Sequence, residues 1–128
     1  MKTVPQDAKG FAQWLVEHEA CSEAREWATG KDLRTVWDTC PRGAWLEWLL
    51  DKARYKWPAA ARAEYNRVTA ESRAEYECVA AAAWPLYEPA ARAELERVRA
   101  AAWAELDRVT SAAVRNLIPY PFDEGPNE

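Results

Sequence analysis

ARAEYNRVTA (61–70) returns eleven positions later as SRAEYECVAA (72–81), and ARAELERVRA (91–100) returns in the same way as AWAELDRVTS (102–111). An eleven-residue step is three helical turns at about 3.67 residues per turn, so each copy points the same way around a helix. The stripe this draws runs Tyr65, Val68, Ser72, Tyr76, Val79, Ala83, Tyr87, and then Leu95, Val98, Ala102, Leu106, Val109, Ala113, Leu117. One apolar face on an otherwise charged helix has to be covered by something. Pairs three residues apart (Glu64–Arg67, Glu94–Arg97, Glu96–Arg99, Glu105–Arg108) support the outer faces.

Two prolines divide the stripe. Proline in mid-helix removes a backbone donor and clashes with the preceding turn, at a cost of about 3 kcal/mol. The spacing therefore predicts one helix from Pro58 to about Ala83, a turn between Trp84 and Glu88, and a second helix opened by Pro89 and ending near Leu117, before Pro119. Two helices of similar length with a short turn make an antiparallel hairpin, stripe against stripe. One kinked helix is the rival, because positions 83, 87, 91 and 95 keep the stripe in phase across the break.

The first half punctuates more often. Asp7 is placed to cap a helix carrying Phe11, Trp14 and Leu15; Glu19 to Trp27 reads as a second helix stopped by Gly30. Asp32 caps Leu33 to Thr39, and Ala44 to Tyr55 follows Pro41 and Gly43. Glycine is scarce, with four in the chain, and no β-branched alternation of strand length occurs, so the expected class is all-α. The organisation expected is a lobe of short Trp-rich helices (1–57), a long helical hairpin with eleven-residue repeats (58–118) and an extended or loose tail with little to bury (119–128), together one folding unit.

Composition narrows the partners. A net charge of −4 with pI near 5.2 argues against a nucleic-acid sleeve, which needs an excess of Lys and Arg. The longest apolar run, Val79 to Leu86, is too short to cross a bilayer, and MKTVPQDAKG has no apolar signal stretch; the expected location is cytosolic. Cys21, Cys40 and Cys78 are odd in number and form no CxxC, so they are expected to be reduced and packed as small hydrophobes.

Tryptophan is the chemical oddity. Six of the eight precede Pro58: Trp14, Trp27, Trp37, Trp45, Trp48 and Trp57. They read either as the core of a lobe built from few residues or, for two or three of them, as the walls of a pocket or an anchor surface. Arg25 beside Trp27, and Arg42 beside Trp45 and Trp48, are the arginines suited to a two-pronged contact with phosphate or carboxylate. Tyr65 and Tyr76 share the stripe with Tyr87, where core with hydroxyls at the edge competes with a stacking ladder completed by Arg62 and Arg73. His18, three before Cys21, is the only histidine and no familiar zinc spacing surrounds it; no metal and no cofactor are expected. No nucleophile–base set, GxSxG or phosphate-cradling glycine loop is present, and an enzyme is not expected.

The segment Cys21-x-x-Ala24-x-x-Trp27, then Trp37-x-x-Cys40-x-Arg42-Gly43-x-Trp45-x-x-Trp48-Leu49, resembles a module of small, poorly characterised proteins of bacteriophages, prophages and bacteria, some labelled putative immunity proteins. The resemblance covers about Ala20 to Leu50, and the Ala-Glu-Tyr repeats are also similar to those of phage members. In that module an Asp follows Arg-Gly; here Ala44 stands there. The resemblance implies a setting of host–phage conflict and no catalytic residues. Three expectations follow: a non-catalytic binder that blocks a component of host antiviral defence in the host cytosol; a sponge for a small nucleotide immune signal; or a structural or assembly protein. Pairing of the stripes between copies, helped by the small Ala102 and Ala113, is expected to give a homo-oligomer.

Overall fold

The computed structural model describes residues 4–83 and 88–122. Among these residues every regular element is a helix: α1 (Ala8–Glu17), α2 (Ser22–Ala28), α3 (Leu33–Thr39), α4 (Gly43–Lys52), α5 (Ala59–Ala83) and α6 (Pro89–Leu117). The protein is all-α. No helix among the described residues is long and apolar enough to cross a membrane.

The helix starts have local causes. Asp7 accepts from the Gly10 amide at 2.8 Å, Asp32 from Thr35 at 2.8 Å and Glu88 from Ala91 at 2.6 Å, each satisfying a first-turn donor that has no partner within its helix. Pro89 occupies the first turn of α6, where its missing N–H costs nothing. Glu88 itself is extended, so α5 does not run on into α6 as one helix. The rest of the expected turn, with Trp84 and Tyr87, lies outside the described residues.

Two helix ends replace glycine with a charged residue. α1 closes with Ala20 N–H donating to Leu15 O and Glu19 N–H to Val16 O, and α4 closes with Tyr55 N–H donating to Leu50 O and Arg54 N–H to Asp51 O. Both are six-to-one closures that need a left-handed residue, and Glu19 (φ 60°) and Arg54 (φ 61°) supply it. A side chain in that region crowds its own carbonyl by about 1–2 kcal/mol relative to glycine. The expected start of α2 at Glu19 therefore moves to Ser22, because Glu19 belongs to the closing turn of α1.

The Asp32 cap gives a pH-dependent expectation. Hydrogen bonding to Thr35 holds its carboxyl below the ordinary carboxylate range. A depressed folded pKa means stabilisation that is present at neutral pH and lost as pH falls through that folded value. Asp32→Ala is expected to lower Tm at pH 7, and the gap to the wild type should shrink as melts are repeated into the acid range. An equal gap at every pH would remove the cap from the account.

The core gathers Phe11, Trp14 and Leu15 from α1, Leu33, Val36 and Trp37 from α3, Leu46, Leu49 and Leu50 from α4, Tyr65 from α5 and Val114 from α6. Each such side chain contributes about 1.5–3 kcal/mol on full burial. α5 and α6 share the largest helix–helix interface, and α4 lies across α6. Burial on the long helices takes in part of the sequence stripe, with Tyr65, Ala102 and Ala113 buried, and adds hydroxyl residues beside it. Thr69, Thr110 and Ser111 are buried, while the stripe residues Val68 and Val98 stay exposed at 37% and 41%. Buried hydroxyls are tolerated because each donates to its own helix: Thr69 to Tyr65 O at 2.8 Å, Thr110 to Leu106 O at 2.7 Å, Ser111 to Arg108 O at 3.3 Å. Ala102 and Ala113 are buried within the single chain, which corrects their expected role as a seam between copies.

Three contacts lock the lobe to α6 and the tail. The start of α4 lies so close to α6 that a Cβ on Gly43 would fall 2.0 Å from Thr110 Oγ1 and 2.8 Å from the Ser111 amide nitrogen. Arg115 donates from Nε to Trp37 O at 2.7 Å and from Nη2 to Cys40 O, bridging carbonyls at the end of α3. Gln6 donates to Phe122 O and accepts from the Tyr120 hydroxyl. The tail was expected to have little to bury. Over 119–122 that expectation fails: Phe122 is buried, and its ring meets Trp37 edge-on at 5.8 Å, because Trp37 offers a ring edge that α6 leaves uncovered. Residues 123–128 lie outside the described part.

Candidate functional site

The short helices enclose a cavity of about 320 Å³. α1 contributes Phe11 and Leu15, α2 Ala24 and Trp27, α3 Val36, and α4 Trp45, Trp48 and Leu49. Cys40 follows α3 and also lines it, and Glu19, Ala20 and Cys21 come from the connection between α1 and α2. The lobe is built from helices of seven to ten residues, too short to interdigitate along their length. Large rings span the gaps instead, and where α2 meets α4 they leave space. Trp27 and Trp45 approach tilted at 6.0 Å between ring centres, and Trp14 meets Trp48 edge-on at 6.0 Å.

The tryptophans thereby divide into two groups. Trp14 and Trp37 are buried core, whereas Trp27, Trp45, Trp48 and Trp57 are half-buried and face open volume. Periodicity had no means of separating them, because burial depends on which helices arrive beside each ring. Trp103, missed as a candidate, is 36% exposed on α6 and contacts Tyr76 at 4.8 Å.

The candidate arginines are not equivalent. Arg42 stands over Trp45 at 4.6 Å and within 5.8 Å of Trp103. Its Nη1 donates to Glu23 at 2.9 Å, and Nε lies 3.9 Å from Asp107, buried and without a hydrogen-bond partner. Burial raises the Asp107 carboxyl above its usual range, and the Arg42 charge opposes that shift. Arg25, expected beside Trp27, is exposed and among the described residues stands over no ring; Lys31 takes the place at 4.7 Å over the Trp27 ring. Lys31 lies beyond the end of α2, where the left-handed Gly30 turns the chain so that its ammonium donates back to Trp27 O at 2.6 Å.

The tyrosine ladder resolves differently at each rung. Tyr65 is fully buried, with Arg62 at 5.5 Å and Arg73 at 5.7 Å from its ring. Arg73 donates to the Tyr65 hydroxyl at 3.1 Å, and Glu47 pairs with Arg62 at 3.4 Å and Arg73 at 3.6 Å. Burial, then the charge of Glu47, pushes the Tyr65 phenol far upward, so it stays protonated. Tyr65 is therefore core, not a stacking platform. Tyr76 is half-buried against Trp103, and Tyr87 lies outside the described residues. Beside this cluster is a second cavity, of about 480 Å³, lined by Trp48, Tyr55, Trp57 and Arg62 but also by Glu47 and Asp51. Two carboxylates against one arginine make it unwelcoming to phosphate.

The thiols also separate. Cys40 is buried, donates to Arg42 O at 3.5 Å and is raised in pKa mainly by burial, so it is a neutral, inert wall of the first cavity. Cys21 and Cys78 are exposed, which corrects the expectation that all three pack as hydrophobes; both fall on helix boundaries or outer faces. His18 stacks on Trp14 at 4.1 Å, and its Nδ1 lies 2.9 Å from Trp14 O. Among the described residues no three His, Cys, Asp or Glu side chains come together as metal ligands.

Compared with protein families, with curated proteins and with solved structures, the chain matches none of them.

Proposed function

We propose that this chain is a non-catalytic binding protein of phage type that blocks a component of host antiviral defence in the host cytosol, and that it takes hold of its partner through the Trp-lined cavity. The observation that carries the reading is the apolar cavity itself. Open space lined by Trp27, Trp45, Trp48 and Phe11 is the kind of pocket that receives an apolar anchor in a binding hot spot. The setting comes from the resemblance over Ala20 to Leu50, the segment that also carries most of the cavity wall. In this reading the long helices form an antiparallel hairpin whose repeated stripe supports the lobe from behind. A sponge for a nucleotide would draw on Arg62 and Arg73, and both share Glu47, so their charge is already answered within the chain.

Ala24→Phe fills the cavity from α2, which buries little else and has room to adjust. In captures from host lysate, we expect a partner retained by the wild type and by a distal control, Val98→Ala, and lost with Ala24→Phe. Circular dichroism would verify that the variant folds. A nucleotide panel should leave Tm unchanged. A rise of several degrees with one nucleotide class, by mass action on the native state, would replace this reading with the sponge.

A further inference from the structure

The cavity has a chemical asymmetry. Its walls are rings, aliphatic chains and thiols, and the one charged residue in its described lining is Glu19. That residue is exposed at the mouth, and among the described residues no cation pairs with its carboxylate. The two cations closest to its tryptophans line no part of it and hold other partners: Lys31, 4.7 Å over the Trp27 ring, donates to Trp27 O, and Arg42, 4.6 Å over the Trp45 ring, pairs with Glu23. Glu19 also holds a left-handed position that glycine would fill at lower cost.

We infer that the cavity is a site for a compact hydrophobic cation, an aryl- or alkylamine whose apolar body lies between Trp27, Trp48 and Phe11 and whose ammonium meets Glu19 at the mouth. Burial of the apolar body supplies the affinity, since each Å² removed from water contributes about 25 cal/mol. Charge supplies the selectivity. Indole faces attract cations, and an exposed carboxylate adds a modest Coulomb term in high dielectric. An anion of the same shape meets Glu19 with no lining cation to offset it. The inference rests on the cavity being the binding site and adds the charge of what enters it.

Three probes with one ring system test it: naphthylmethylamine, naphthylmethanol and naphthoate. The readout is the isotope-labelled indole N–H spectrum of the full chain, with signals assigned by single Trp→Phe variants. The amine is expected to move the signals of Trp27, Trp45 and Trp48 and to leave that of Trp103 in place. It should bind about two- to fivefold more tightly than the alcohol, with naphthoate weakest. Glu19→Gln should erase the difference between amine and alcohol without weakening the alcohol. Glu19→Gly should do the same in a protein that melts higher, which separates the selectivity from any loss of fold. Naphthoate binding as tightly as the amine, or an amine advantage that survives Glu19→Gln, overturns the assignment of charge. No movement of any cavity indole with any probe overturns the small-molecule site; capture by the wild type against Ala24→Phe then still decides the partner-blocking reading on its own.

Discussion

Gly43→Ala is expected to be the most damaging single-methyl change in the chain. The added Cβ would lie 2.0 Å from Thr110 Oγ1, 2.3 Å from Thr110 Cβ and 2.8 Å from the Ser111 amide nitrogen. Neither α4 nor α6 can yield cheaply, because the atoms met include backbone. Forced overpacking in a closed interface costs about 1–3 kcal/mol, and this site belongs at the top of that range. For a domain of this size that is a fall in Tm of about 10 °C. Adding Thr110→Ala should not rescue it, since the Cβ of Thr110 is itself one of the obstacles. Calorimetry on the single and double variants checks both statements, and a single variant melting within two or three degrees of the wild type (about 1 kcal/mol) would mean that the helices are not in such close register.

Arg115→Ala is expected to be comparably severe through a different route. α3 has seven residues and is too short to persist alone. Its last carbonyls have no helical partners, and the Arg115 guanidinium answers those of Trp37 and Cys40 together. Charge-assisted bonds of this kind contribute about 1.5–3 kcal/mol each, and their loss leaves part-buried acceptors unpaired. The expected loss is about 3 kcal/mol. Arg115→Lys should recover less than half, because one ammonium cannot span two carbonyls as a fork does. Hydrogen exchange gives the diagnostic: protection should fall first in α3, ahead of α5. Uniform loss across the chain would point to general destabilisation instead.

These two residues also show where sequence reading stops. The caps at Asp7 and Asp32, the first-turn Pro89 and the outer pairs such as Glu64–Arg67 are local grammar, decided within four residues, and each is found in the fold. Gly43 reads on paper as punctuation and Arg115 as one more helix-surface cation. Their roles depend on which segment arrives beside them from the far end of the chain, and periodicity carries no such information. The same limit governs the site. Tryptophan content marked the lobe as unusual, and Trp27, Trp45 and Trp48 do line one cavity. Arg25 and Tyr65 were grouped with them by adjacency and by repeat. One points away, and the other is sealed beneath Glu47 and Arg73. Lys31 reaches Trp27 through the left-handed Gly30 that turns the chain back after α2, a path that helical spacing does not describe.

The meeting of both ends of the chain beside α3 has a consequence for biosynthesis. Gln6 holds Phe122 across 116 positions, and Trp37 is held by Arg115 across 78. The short-helix lobe is thus completed by residues 115–122, which are translated well after it. While the ribosome is still extending α5, Trp37 and the start of α4 have no cover, and the high sequence separation of their contacts makes closure slow relative to helix formation. A nascent chain arrested before α6 should bind hydrophobic dyes and recruit chaperones, and one extended past residue 122 should not. The cavity therefore forms only once residues 115–122 have been made, so that chains arrested before them present tryptophans but no site.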